Sequence, residues 1–330
     1  MESTQLIPNS LAQGRLLREP VGFANGYWAG APGVFYEAEE RALYLTYRIR
    51  RPRGIEPDRG GEARIARSTD FQEFEDIWSV TKDRFNTASI ERCAVRKGPD
   101  GLWRYFACFV DPADGRWCVE VIKAPTIQAL DPARARRLFS GPPLGLEGIK
   151  DPWILEERGT FHLFLSVAVR TPKTGEDSHA TLDIFNTGEC VSATGLAVST
   201  DLEKWDWQGV VFAPEASGWD AYCRRINSVV RHDGKYVAFY DGSAGHWENY
   251  EEKTGLAVSS DLRTWRSVTP TGPCLTSPHA SGSLRYLDAL ASGDRPWLFY
   301  EFARPDGAHD LRMAQVNLTS IICTPLPSNS

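Results

Sequence analysis

The 330-residue chain has no excess of positive charge: 37 Lys and Arg stand against 43 Asp and Glu, giving a formal net charge of −6 and a pI near 5.6. That balance excludes a general electrostatic grip on nucleic acid or on an anionic membrane, and leaves only local basic patches. Long apolar runs are missing too. No stretch approaches the roughly 18 uninterrupted apolar residues of a membrane span, and the opening MESTQLIPNSLAQGRLL has neither a basic n-region nor a continuous apolar h-region. The expectation is a soluble, cytoplasmic protein without nucleic-acid or membrane partners. Cysteine is scarce and irregular: seven residues, at 93, 108, 118, 190, 223, 274 and 323, with no CxxC spacing. An odd set of this kind argues against a complete disulfide framework and against a zinc site, and leaves buried thiols.

What is present is a repeat. Residues 194–205 read TGLAVSTDLEKW, and sixty residues later 254–265 read TGLAVSSDLRTW. Each copy is preceded by an apolar strand pair, PWILEERGTFHLFLSV or NSVVRHDGKYVAFYDG, and followed by a short β-type stretch. The unit reads strand, turn, strand, long loop, strand, Ser-x-Asp-Leu-x-x-Trp turn, strand, the pattern of a propeller blade. Three further copies match the template, starting near Ala31, Glu91 and Ser283, beside those at Asp151 and Asn227. The expectation is therefore all-β: one domain over 1–330, a five-bladed β-propeller of four-stranded antiparallel blades around a central funnel. Residues 16–22 are expected to complete the last blade as a clasp. In the closing turn, Ser and Asp bond backbone amides, Leu plugs between strands and Trp caps the gap between blades, so Asp70, Asp201 and Asp261 are expected to be structural.

Inner strands of a propeller converge, so the residue opening each one points into a shared funnel. The alignment puts Ala31, Glu91, Asp151, Asn227 and Ser283 there, and the returning strands add Arg48, Asp111, Asp241 and Glu301. A ring of acids on an apolar scaffold suits glycoside chemistry, in which one carboxyl protonates a leaving oxygen and another acts as base or nucleophile. Some of these acids would instead bond loop amides around the channel. Asp151, Glu91, Asp241 and Glu301 are the candidate catalytic residues.

With the repeat and its AVSxDLxxW turn, IKDPWIL at 149–155 and HASGSL at 279–284, the chain resembles the propeller glycosidases: the arabinanase and xylosidase family 43, the invertase family 32 and the mannoside phosphorylase family 130. The resemblance covers nearly the whole chain in architecture, through short motifs. It implies an essential Asp at Asp151-Pro152, and a His at His279 that helps hold a metal or the sugar. No cofactor is required; a central Ca²⁺ near His279 is the metal the resemblance allows. Departures matter equally. Ala31 stands where families 32 and 43 carry a first-blade Asp, and Asn227 where a further acid is sought. Family 130 also lacks the first-blade Asp and carries an acid before an Arg, similar to Glu91-Arg92, so the chain leans toward that family or an unassigned relative.

Seven arginines fall between 48 and 67: Arg48, Arg50, Arg51, Arg53, Arg59, Arg64 and Arg67, in a stretch expected to overhang the funnel. Guanidinium forks suit carboxylates and phosphates. Arg48, Arg92, Arg225, Asn227, His279, Tyr222 and Trp28 are the expected substrate-binding set, with Tyr27, Trp219 and Trp247 further aromatics at the rim. Pairing of the arginines with Glu91 or Asp151 would keep those acids ionised and poor proton donors. The function expected is cleavage, by hydrolysis or phosphorolysis, of a small anionic glycoside, with phosphate as a second partner. The alternatives are a lyase or cyclisation reaction on the same fold, and a sugar-binding propeller without turnover.

Overall fold

The computed structural model describes residues 11–291, 293 and 295–322. Among them are twenty strands and, beside short 3₁₀ turns, a four-residue helix at Leu318–Ile321. After β1 (Arg15–Arg18), β2 (Trp28–Glu37), β3 (Ala42–Arg51), β4 (Arg59–Ser68) and β5 (Glu75–Thr81) pair antiparallel in sequence order. The same order recurs in β6 (Ala94–Lys97), β7 (Trp103–Val110), β8 (Trp117–Ala124) and β9 (Arg136–Ser140). It recurs again in β10 (Gly148–Glu157), β11 (Thr160–Arg170), β12 (Cys190–Ser199) and β13 (Asp206–Phe212), then in β14 (Cys223–His232), β15 (Lys235–Ser243), β16 (Lys253–Ser259) and β17 (Arg266–Ser267). Last come β18 (Leu284–Leu290), β19 (Trp297–Ala303) and β20 (His309–Gln315), and β1 adds itself antiparallel to β20. Single parallel bridges, Trp28 to His309 and Ser192 to Cys223, merge four of these runs into two eight-stranded sheets beside a four-stranded one, and none closes on itself.

Local chemistry explains the hairpins. Arg158-Gly159 and Asp233-Gly234 are two-residue loops with positive φ at both positions (52° and 76°; 47° and 73°), the turn whose twist matches that of the strands it joins. The closing turn repeats almost atom for atom. Ser199 Oγ bonds Asp201 Oδ1 at 3.0 Å, and that oxygen accepts the Glu203 and Lys204 amides at 2.8 Å each. Ser259, Asp261, Arg263 and Thr264 make the same bonds at 2.9, 2.8 and 2.8 Å. Ser68 and Asp70 do likewise, and their Asp is held below its ordinary pKa chiefly by those amides, as is Asp201. Leu202 and Leu262 are buried.

The aromatic of each turn packs edge-on against a Phe in the second strand of the preceding run: Phe74 on Phe299, Trp205 on Phe106, Trp265 on Phe164, with interplanar angles of 74°, 85° and 74°. Threonine of the repeated segment locks the next run's inner strand, Thr194 Oγ1 donating to the Arg224 carbonyl at 2.9 Å and Thr254 Oγ1 to the Leu284 carbonyl at 2.7 Å. One side-chain period thus builds both the strands and their mutual packing. Among the described residues no helix is long and apolar enough to cross a membrane.

Candidate active site

The inner strands β2, β10 and β18 each carry a bulge, where Ala31, Asp151 and Tyr286 take left-handed φ values of 51°, 54° and 50°. A non-glycine residue held there costs of order 1–3 kcal/mol and persists where its surroundings over-determine it. Just beyond these bulges lies a hub. Arg92 donates from Nε to the Pro32 carbonyl at 2.7 Å, from Nη1 to the Asn227 carbonyl at 2.9 Å, and from Nη2 to Asp288 Oδ2 at 3.1 Å. Asp288 also accepts the Val34 amide at 2.8 Å and Trp153 Nε1 at 2.9 Å. Five inner segments meet in one buried pair, and every nitrogen of Arg92 is taken by protein.

On the other side of the bulges lies a larger charged cluster. Glu91 receives Arg48 Nε at 2.6 Å and Arg50 Nη1 at 3.1 Å. Glu301 receives Arg285 Nη2 at 2.7 Å and His309 Nδ1 at 2.8 Å, with Arg48 Nη2 at 3.4 Å. Glu252 binds Arg285 Nη1 at 2.8 Å and makes a short bond to Arg225. Asp241 accepts the Tyr286 amide at 3.0 Å, with Arg225 Nη2 at 4.0 Å. Asp151 Oδ2 has Tyr286 Oη at 3.5 Å and Lys150 Nζ at 3.6 Å, whereas its Oδ1, though buried, has no hydrogen-bond partner among the described residues. Trp28 is the apolar floor, stacked on His309 at 4.9 Å and approached by the guanidiniums of Arg50 and Arg285 at 4.8 and 4.9 Å.

The titrations divide accordingly. Burial pushes Glu91 up, but Arg48, Arg50 and Lys150 outweigh it and hold the carboxyl at about 2. Burial is likewise overcome at Glu301, by Arg285 and Arg48, which keep it well below the usual range. Burial drives Asp241 up to about 7; Arg225 opposes and Glu252 reinforces. Burial also raises Tyr286 well above 10.0, so its hydroxyl keeps a proton to donate.

The residues singled out from sequence separate into groups. Glu91, Asp151, Asp241, Glu301, Arg48, Arg225 and Trp28 gather in the cluster. Arg92 and the Asn227 carbonyl belong to the hub. Tyr222 is buried with its hydroxyl on the Phe185 carbonyl at 2.6 Å, so no ring face is offered to a sugar. His279 is half-exposed, its ring edge-on to Phe302 and its amide on Ser277 Oγ. Calcium there finds no support: among the described residues no group of three His, Cys, Asp or Glu could hold a metal, and Glu91, Glu252 and Glu301 are engaged by arginines. Ser283 is not the residue equivalent to Asp151, since the register of β18 on β19 puts the bulge at Tyr286. Asp111 lies outside the cluster, paired with Arg137 of β9 at 2.7 Å. Arg64 and Arg67 pair with Glu62, Asp76 and Glu40. A carboxylate does stand at Ala31 after all: Glu301 Oε2 accepts its amide at 3.0 Å, and a Cβ on Gly30 would lie 2.1 Å from the same oxygen.

Sequence reasoning missed Glu252, Arg285, Tyr286 and His309, and named Arg59 only as one of the seven arginines between 48 and 67. Arg59 and His309 open the third strands β4 and β20, and Glu252 directly precedes β16. The third-strand start is the signal that could have found them.

No family model and no curated protein matches this sequence. Solved structures do resemble it. A thermostable family-43 glycoside hydrolase superposes with a TM-score of 0.60 at 11% identity, covering 90% of this chain and 92% of that one. The β-1,2-mannobiose phosphorylase of Listeria innocua, in complex with β-1,2-mannobiose, gives 0.61 at 13% identity over 95% of both chains. An endo-arabinase of Bacteroides thetaiotaomicron gives 0.58 at 13% identity, over 89% of this chain and 97% of that one. At such identities the likeness is one of fold, and the fold of this chain is that of the β-propeller glycoside hydrolases and the mannobiose phosphorylase.

Proposed function

We propose that this protein cleaves the glycosidic bond of a small anionic glycoside at the charged cluster, with the five strand runs as four-stranded blades around a central funnel. The fold neighbours, glycoside hydrolases and a phosphorylase, favour carbohydrate as the substrate class. The observation that carries the reading to particular atoms is Asp151 Oδ1, an oxygen on a residue 2% exposed, with no hydrogen-bond partner among the described residues and with a strained backbone beneath it. A buried carboxylate oxygen left open is costly in an isolated protein and useful against a sugar hydroxyl or an attacking water. Asp241 is the complementary group. With its pKa pushed up to about 7 it can carry a proton at neutral pH, as a general acid must. Tyr286 links the two, its amide on Asp241 and its hydroxyl near Asp151. Glu91 and Glu301, held ionised, are assigned to positioning the arginines. Unlike the four-acid set suggested by sequence, this leaves one acid for the proton and one for the reacting face.

The test is a panel of aryl glycosides and aryl uronides assayed with and without phosphate. Release that needs phosphate identifies a phosphorylase; release without it, a hydrolase; an unsaturated product absorbing in the ultraviolet, elimination in place of cleavage. Absence of any release, or full activity in Asp151→Asn, defeats the reading.

A further inference from the structure

Arg59 opens β4 with φ 57° and is 2% exposed. Its Nη2 donates to the Leu182 carbonyl at 3.0 Å, and its ion pair with Asp183 is long, 3.9 Å. Asp183 is already committed: Trp117 Nε1 reaches it at 3.0 Å, Asn186 Nδ2 at 3.1 Å and the Tyr250 hydroxyl at 2.5 Å. Two nitrogens of Arg59, Nε and Nη1, therefore have no partner among the described residues. Arg50 lies over the Tyr250 ring at 4.4 Å and spends Nη1 on Glu91, leaving its own Nε without a partner. Burial lowers the Arg59 pKa; Asp183 fails to offset it, and Arg53 and Arg50 add repulsion.

A buried guanidinium with its fork unfilled is a desolvated charge lacking the counter-charge that normally accompanies it. Sugar hydroxyls could accept its hydrogen bonds but not balance its charge. An oxyanion does both, because two oxygens of a carboxylate or phosphate match adjacent guanidinium N–H groups. We propose that Arg59, assisted by Arg50, is the receptor for an oxyanion, either the carboxylate of a uronate or a phosphate group. That this oxyanion belongs to the reacting pair rests on the glycoside-cleaving reading; the site itself does not. Arg92 and Arg225, the arginines that sequence alone favoured, spend their charge on Asp288 and Glu252.

The test is thermal unfolding and calorimetric titration of the full chain with inorganic phosphate, with glucuronate and with glucose, at ionic strength held constant by chloride. Phosphate or glucuronate should raise the unfolding temperature and bind, glucose should not, and the stronger of the two names the source of the oxyanion. Arg59→Gln should weaken that binding about tenfold to a hundredfold, and Arg59→Lys, which keeps charge but loses the fork, should fall between. Without anion, Arg59→Gln should unfold no lower than the parent, because it removes an uncompensated buried charge; an arginine with a merely structural role would leave the variant less stable. Binding of neither anion, or equal binding by parent and Arg59→Gln, overturns the proposal. Anion binding without turnover of any glycoside leaves the site standing and removes the proposed function; turnover of neutral glycosides without anion binding does the reverse.

Discussion

Arg92 and Arg59 are equally buried, at 1% and 2% exposure, yet their surroundings differ in kind. Arg92 has a protein acceptor on each nitrogen and a carboxylate at 3.1 Å, and its acceptors come from β2, β14 and β18. Arg59 has one carbonyl and one distant, preoccupied acid. The same residue type at the same depth thus serves two ends: a satisfied buried charge fixes the strands around it, and one left unsatisfied among the described residues is open to the proposed oxyanion. The hub and the cluster extend that contrast to whole regions on either side of the bulges.

The largest effect is expected where the comparison is sharpest. Asp288→Ala leaves Arg92 charged and buried without its acid, and should cost about 3–5 kcal/mol of stability, read from chemical denaturation; an unchanged midpoint would make the hub ornamental. Asp151→Asn should do the opposite, holding the unfolding midpoint within about 1 kcal/mol while turnover falls at least about a hundredfold. A variant that loses stability and activity together would merge the two regions into one.

The pH dependence sharpens the same contrast within the cluster. Glu91 and Glu252 are held at about 2, below their ordinary 4.5, so the stability they confer is complete above pH 4.5 and is lost as pH falls toward 2. Asp241 runs the other way: raised from 3.8 to about 7, it favours the fold at low pH and its contribution is lost as pH rises through that window. Unfolding free energies across pH 3–8 should show Asp241→Asn removing the decline toward pH 7 and Glu91→Gln flattening the acid limb. If both variants keep the parent's profile, these groups do not titrate as the geometry implies. The smallest effect belongs to the periphery. Asp201→Ala and Asp261→Ala should each lower the unfolding midpoint slightly and leave activity untouched, with Asp261→Ala the larger loss because it also gives up the Thr264 hydroxyl at 3.2 Å.

How much was legible in the sequence follows the same division. The closing turns could be read because every bond in them spans two or three residues, and so is written in consecutive letters. The hairpins at Arg158-Gly159 and Asp233-Gly234 were readable for the same reason. Arg48, Arg92 and Arg225 read alike because nothing local separates a guanidinium bound for Asp288 from one bound for Glu91; only the assembled strands decide. The last run, lacking the repeated segment, gave no internal ruler, and its bulge lies at Tyr286, three residues past Ser283. Asp183 and Tyr250, which hold the surroundings of Arg59, sit on the loops where the two clear copies stop resembling each other. Repetition marks what the scaffold needs, and its lapses fall where the proposed oxyanion site lies.

The pairing of β1 with β20 sets Arg15 opposite Met313. At the usual pace of synthesis, roughly 5–20 residues per second, about 300 residues emerge between these partners, so the first strand spends on the order of 15–60 s outside the ribosome with its hydrogen-bonding edge unoccupied. Its partner sheet spends that time unfinished as well. The nascent chain must therefore carry an open edge until β20 has been made, which makes the closing strand pair the natural point of contact for a chaperone and, in its absence, for another copy of the same unfinished chain.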